Sequence, residues 1–340
     1  MLMRFSAGRK RVTFCGKEKP SGKQPIKNLR DAYKLAGFRA QAKIDSYEHE
    51  PSALVLTFDR RSKKRFAAAA KIRAAISTTN AWQKRDLSAR RYVYVWADGV
   101  YLQARMEDNA ECMLVLIGAT PEGKKELVGF QTGVRESAQS WRELLIDIKQ
   151  RGLEIAPDLA VGDGALGFWK AIEEAFPSTR HQRCWVHKTA NVLDKVALSV
   201  QANMKADLRE IYGAPTRAAA EVAIDVFAEK YRAKYDKAVI CLTKDRETLL
   251  AFFDFPAEHW DHLRTSNPIE SVFATVRHRT VRTKGALSAK TAKLMVFKLV
   301  NAAAKTWRRL NGENQLPKVV QGVKFKNGIE VTEMPAHHAA

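Results

Sequence analysis

Apolar and polar positions change their rhythm several times along this chain. The run YVYVWADGVYLQA, from Tyr92, alternates β-branched and aromatic residues with polar or small ones, which predicts a strand. In that reading Tyr92, Tyr94, Trp96 and Asp98 share one face. ECMLVLIGAT (111–120) predicts a second strand, closed by the turn Pro121-Glu-Gly123, and ELVGFQTGV (126–134) a third. The short links make these three an antiparallel meander. The period then lengthens. Trp141, Leu144, Leu145 and Ile148 fall at i, i+3, i+4 and i+7, which predicts a helix over 137–150 ended by Gly152. DLAVGD (158–163) reads as a short strand, GALGFWKAIEEAF as a helix and RHQRCWVH (180–187) as a further strand.

Residues 188–262 are rich in Ala, Lys, Glu and Leu and read as helical, with breaks at Pro215 and Pro256. A new helix begins near Ser266 and carries Glu270. Another spans 290–310, with Val296, Val300, Ala303, Trp307 and Leu310 on one side. Upstream, residues 1–35 are basic and punctuated by Gly, Pro and Ser, which reads as a loosely held arm. ALVLTF (53–58) predicts a short strand, and residues 60–76 a basic helix that either reads phosphates or is a solvated charged surface. The order of elements matches an α/β fold: an RNase H-like core with a mixed five-stranded sheet, interrupted by an all-helical insertion and preceded by a basic irregular segment. The corresponding divisions are 1–81, 82–187, 188–265, 266–310 and a tail over 311–340.

Composition adds a partner to this picture. The chain has 340 residues, 46% of them hydrophobic, enough to bury a core. Lys and Arg outnumber Asp and Glu by 58 to 37, a net charge of +21 that points to a polyanion, most often nucleic acid. The charge is uneven. Residues 1–90 carry +15, residues 91–270 carry −4 and residues 271–340 carry +10. A simple electrostatic coat for DNA needs no acidic middle. No apolar run approaches the ~20 residues of a membrane helix, and no secretory signal is visible. The four scattered cysteines suit a reducing cytosol better than a disulfide framework.

The acidic middle holds the candidate chemistry. Asp98 (WADG) and Asp163 (VGDG) each close an apolar strand in a Gly-permissive turn. If strands one and four lie side by side, two carboxylates meet at one sheet edge, a donor set suited to Mg²⁺. Asp-Gly is equally a plain turn dipeptide. Glu270 has its own structural reading: with Asn267 as N-cap and Pro268 at the first helical position, Glu270 completes a capping box. Taken jointly, two Asp and one Glu supply hard ligands for two ions acting on a phosphodiester. Arg277 falls seven residues past Glu270 on the same helix face. Arg279, Arg282 and Lys284 follow, cations placed to meet a DNA backbone. Cys184 and His187 form a Cys-x-x-His pair without a second pair to make a zinc site, so packing or hydrogen bonding is expected of them.

At these residues the chain resembles a known family. From about Trp82 to Glu330 it is similar to the mutator-type transposases of bacterial insertion sequences, on WQKRDLSARRYVYVWADGVYLQAR, LAVGDGALGFWKAI, HQRCWVHKTANVL and TSNPIESVFATVRHRT. The resemblance implies a DDE transposase that cleaves and joins DNA, with a helical insertion between the second Asp and the Glu. It implies that Asp98, Asp163 and Glu270 are the metal-binding carboxylates, holding two Mg²⁺ or Mn²⁺ ions. Cys184 and His187 match the family's Cys-x-x-His motif. The implied partners are the element's terminal inverted repeats and target DNA, with a homo-oligomer assembled on DNA, no membrane, and a cytoplasmic, nucleoid-associated location. Residues 1–80 do not resemble the family's N-terminal helix-turn-helix region, so a shortened or replaced N-terminus is expected. That leaves an alternative: a catalytically incompetent DNA-binding relative that inhibits or partners full-length transposase. A related metal nuclease on the same fold is a third reading.

Overall fold

The structure, a computed structural model, describes residues 2–5, 11–16, 38–47, 50–60, 64–102, 111–133, 136–164, 166–282 and 289–331. It divides into two compact units, Met1–Thr78 and Thr79–Ala340. The first carries β1 (Leu2–Phe5), β2 (Arg11–Gly16), β3 (Phe38–Tyr47) and β4 (Glu50–Arg60). They form an antiparallel sheet of order β1-β2-β4-β3. This corrects the expected irregular arm. Val12 and Phe14 alternate with Arg11, Thr13 and Cys15, a strand pattern that the surrounding Lys, Gly and Pro had masked. The expected ALVLTF strand lies within β4. Helix α1 (Lys64–Gln83) follows, starting four residues later and ending seven later than the sequence predicted.

The second unit is built on a five-stranded mixed sheet of order β7-β6-β5-β8-β9. β5 (Tyr94–Leu102), β6 (Glu111–Ala119) and β7 (Lys125–Gly133) form the expected antiparallel meander. β8 (Leu159–Gly162) runs parallel to β5, and β9 (Arg180–Arg183) parallel to β8. Parallel neighbours need crossovers. Helix α2 (Ala138–Gln150) joins β7 to β8, and α3 (Leu166–Ala175) joins β8 to β9.

Each face of the sheet buries its own core. On one face Val95 and Ala97 of β5 pack with the α2 stripe Trp141, Leu144, Leu145 and Ile148, and with Phe168 and Trp169 of α3. Every member of that predicted stripe is buried, each burial contributing about 1.5–3 kcal/mol. Ser137 caps α2 by accepting from Ser140 N (3.2 Å). Gly152 ends the turn beyond it at φ 99°, where a Cβ would meet the Ser88 backbone at 2.9 Å.

On the other face Tyr94, Trp96 and Val100 share one continuous core with residues from much later in the chain. These come from α4 (Trp185–Leu193), α5 (Leu198–Tyr212), α6 (Arg217–Thr243), the short helices α7 (Arg246–Leu249) and α8 (Trp260–Leu263), α9 (Asn267–Arg282) and α10 (Ala289–Ala304). Trp96 Nε1 donates to the His262 carbonyl (2.9 Å), tying β5 to the approach to α9.

Three expectations change. Tyr92 precedes β5 and packs in the opposite core from Tyr94, because alternation holds only within extended backbone. β9 stops at Arg183, and Cys184 is the N-cap of α4, so Cys184 and His187 lie at a helix start rather than along a strand. Helix α10 ends at Ala304. Trp307 and Leu310 lie beyond it, and the Leu310 N–H donates to the Gly123 carbonyl (2.9 Å).

Candidate active site

The two predicted aspartates meet through strand register. β5 and β8 pair with Ala97 opposite Gly162, so Asp98 and Asp163 are the next residues on adjacent parallel strands. Strand alternation sets their side. Trp96 and Val100 of β5, like Leu159 and Val161 of β8, face the core that includes Ile269, Phe273 and Val276 of α9. Asp98 follows that parity, and both it and Asp163, the residue just past β8, act on the charge of His187, which lies beside Glu270. β8 ends at Gly162 while β5 continues to Leu102. Each aspartate accepts from the next backbone N–H, Asp98 from Gly99 (2.8 Å) and Asp163 from Gly164.

Glu270 is delivered by the start of α9. The Ser266 carbonyl accepts from Ile269 N (2.9 Å) and Glu270 N (3.1 Å), so Ser266, not Asn267, caps the helix. The expected capping box does not form. The Ser266 N–H donates to Cys184 Sγ (3.3 Å), and the Ser266 hydroxyl donates to Glu270 Oε1 (2.7 Å). The fully buried Ser266 is thus a hub, its Oγ also 3.2 Å from Cys184 Sγ and 3.4 Å from His187 Nδ1. The Cys184 N–H donates to the Gly162 carbonyl and the Trp185 N–H to the Arg264 carbonyl, both at 2.9 Å. Those two bonds fasten the end of β8 to the segment that leads into α9. The Cys-x-x-His motif therefore links the strand of Asp163 to the helix of Glu270.

His187 completes the link. Its Nδ1 is 3.9 Å from Glu270 Oε1, and its ring also feels Asp163 and Asp98. Its pKa is raised to about 9 by its hydrogen bond with Cys184, against burial, with the carboxylates adding to the rise. Asp98 is pushed up to about 7, chiefly by burial and further by Glu136 and Asp163, with His187 and the Gly99 N–H opposing. Burial also raises Glu136, with Asp163 adding and His187 opposing. A buried carboxyl among like charges favours a cation beside it. The oxygen donors of Asp98 and Asp163 fit a hard divalent ion such as Mg²⁺. The donor atoms of Cys184, His187 and Glu270 also lie within 4.8 Å of one another, but Ser266 already engages Cys184 and Glu270 through hydrogen bonds.

Three residues near the site were not picked out from the sequence. Ser266 was hidden in the string Thr-Ser-Asn-Pro, where any of three residues could cap. Glu136 precedes a helix N-cap and belongs to no periodic pattern. Arg183 pairs with Gly162 across β8 and β9, and its guanidinium lies 2.8 Å from where a Gly164 Cβ would sit. It also faces Asp245 (3.5 Å) and the Trp169 ring (5.4 Å). Of the expected DNA-contacting residues, Arg277, Arg279 and Arg282 lie on α9 with side chains outside the described set, and Lys284 lies outside the described residues. No helix among the described residues is long and apolar enough to cross a membrane.

Comparison with known proteins adds a family. The profile "Transposase, Mutator family" matches residues 64–309, a match that starts upstream of Trp82 and takes in α1. The transposase for insertion sequence element IST2 of Acidithiobacillus ferrooxidans is 51% identical over 255 residues, 73% of this chain and 84% of that protein. That for IS6120 of Mycolicibacterium smegmatis is 49% identical over 248 residues, 73% of this chain and 76% of that protein. That for IS905 of Lactococcus lactis is 30% identical over 200 residues, 58% of this chain and 50% of that protein.

Proposed function

The chain belongs to the Mutator family of transposases, and from that premise we propose that it is a divalent-metal-dependent DNA strand transferase of an insertion sequence. The observation that carries this reading is the in-register pairing of Ala97 with Gly162, which sets Asp98 and Asp163 side by side toward the helix of Glu270. In this reading the mixed sheet is an RNase H-like core, residues 188–265 are its helical insertion, and residues 1–81 are a separate basic segment.

Asp98, Asp163 and Glu270 would hold two Mg²⁺ or Mn²⁺ ions. Such ions supply Lewis-acid activation of the attacking oxygen and stabilisation of the leaving one. Ser266 fixes the Glu270 carboxylate by its 2.7 Å hydrogen bond. Arg277, Arg279, Arg282 and Lys284 would bind backbone phosphates along and just past α9. Water first cleaves the phosphodiester at the element's end and frees a 3′-hydroxyl. That hydroxyl then attacks a target phosphodiester in line, displacing a target 3′-oxygen, with no covalent protein intermediate. A homo-oligomer holding both element ends together would pair the two joining events.

The test uses the purified full chain with DNA carrying the element's terminal repeats, in Mg²⁺ and in Mn²⁺. The expected result is end cleavage and joining by the native protein and neither by Asp163→Asn. Equal cleavage by Asp163→Asn would sink the site assignment. DNA binding without cleavage in either metal would favour the non-catalytic relative.

A further inference from the structure

Glu136 has an arrangement that its helix does not require. It is the last residue before Ser137, the N-cap of α2, so it comes from the layer opposite Glu270. Its side chain lies across Gly99, the residue after Asp98. A Cβ at Gly99 would sit 2.5 Å from Glu136 Oε1, 2.6 Å from Cδ and 2.7 Å from Cγ. Its backbone lies on α3. A Cβ at Gly167 would sit 2.5 Å from the Glu136 carbonyl oxygen, 2.6 Å from Ala138 N and 2.7 Å from the Ser137 carbonyl carbon. The two glycines stand one residue after Asp98 and four after Asp163. Both lack the side chain that would push Glu136 out, so the room for Glu136 is built by β5 beside Asp98 and by the start of α3 just past Asp163.

We propose that Glu136 is a fourth carboxylate of the metal site, supplied from the sheet face opposite Glu270. The proposal rests on the reading of Asp98, Asp163 and Glu270 as metal ligands. A simpler role is available: an acid near a helix N-terminus interacts favourably with the helix dipole. That role is met by a carboxylate turned to solvent along α2. It needs neither the empty Cβ position at Gly99 nor an acid near enough to feel the charge of Asp98 and Asp163, where like charges repel. A divalent ion turns that repulsion into shared coordination. Two ions bridging a phosphodiester need hard oxygen ligands from more than one direction. Glu270 comes from the layer on one face of the sheet and Glu136 from the layer on the other, and the two layers meet at the end of β8, where Asp163 follows beside Asp98 of β5.

The experiment counts ions rather than turnover. Mn²⁺ is titrated into the full chain, free ion is followed by its paramagnetic resonance signal, and thermal melting is recorded with and without metal. Native protein is expected to take up two ions. Glu136→Gln should lose one or weaken it at least tenfold, should show a smaller metal-induced rise in melting temperature, and should melt no lower than native without metal because a repelled charge has gone. Glu136→Asp, which keeps the charge but withdraws it by one methylene, should weaken the same ion and guards against a folding defect in the amide variant. Uptake of both ions with native affinity by Glu136→Gln, while Asp98→Asn loses them, overturns the role of Glu136 alone. Native-like uptake by Asp98→Asn and Asp163→Asn, or no uptake by the native chain, overturns the underlying metal site and this proposal with it.

Discussion

The two faces of the central sheet are assembled from different distances along the chain. The face of Val95 and Ala97 is covered by residues between Leu87 and Phe176, so its packing is local. The face of Trp96 is covered by residues between Trp185 and Phe325, most of them more than a hundred positions downstream. The local layer is a crossover scaffold whose helices lie between the strands they connect. The distant layer brings the groups that the strands lack: Glu270, the Ser266 hub and His187. The candidate site sits at the edge where β8 ends and both layers reach the strand-borne aspartates. Local packing thus places the aspartates, and distant packing completes the donor set around them.

That contrast can be broken experimentally. Substituting a strand-borne acid should have the largest effect. Asp98→Asn or Asp163→Asn is expected to lower the cleavage rate by roughly a thousandfold or more, since metal-centred stabilisation is worth several kcal/mol, with DNA affinity measured separately and little changed. Next comes the distant layer's hub. Ser266→Ala frees the Glu270 carboxylate without removing it, and outer-shell losses of this kind cost about 10- to 100-fold. The loss should fall on the rate at saturating DNA rather than on DNA binding, and equal losses in both would contradict a positioning role. In the local layer, Gly167→Ala forces a methyl into the Glu136–Ala138 backbone and should cost about 1–3 kcal/mol in denaturant unfolding. Unchanged stability would show that the two layers are not tightly keyed there.

The smallest effect is a pH slope. Asp98 holds its proton to about pH 7 in the fold against an ordinary 3.8. Between those values the folded chain binds more proton than the unfolded one, so metal-free stability falls as pH rises through that window. His187, raised to about 9 from 6.5, contributes stability present below 6.5 and lost as pH rises through 9. Both slopes run downward. Asp98→Asn should flatten the lower part of a melting-temperature profile between about pH 4 and 7, and reduce the upper part only slightly, since Asp98 is the smallest of the causes that raise His187.

Much of this was legible in the chain's own pattern, for reasons that follow the same local and distant division. The α2 stripe and the three-strand meander are short-range signals, and each is found in the structure. Asp163 follows the end of β8 as expected, but Asp98 does not close its strand: it lies inside β5, because Gly99 and the residues to Leu102 stay paired with β6 instead of turning. Ser266 and Glu136 were not legible. Their placement depends on Cys184, Gly99 and Gly167, partners between 31 and 82 residues away, and no spacing rule records such contacts. The start of α4 was misread because Cys184-Trp-Val-His alternates like a strand, yet the Trp185 N–H is taken by the Arg264 carbonyl and not by a sheet neighbour. The strands of the N-terminal unit were masked by the composition around them. The +15 of residues 1–90 extends upstream of the family match, which begins at residue 64.

In the proposed function, carboxylates from β5, the end of β8 and α9 form a divalent-metal centre. Anomalous diffraction from crystals of the full chain soaked in Mn²⁺ tests it most directly. Anomalous density is expected between Asp98 and Asp163, within coordination reach of Glu270, and should disappear in Asp163→Asn. Density at Cys184 and His187 alone, or none near Asp98 in the native protein, would contradict it.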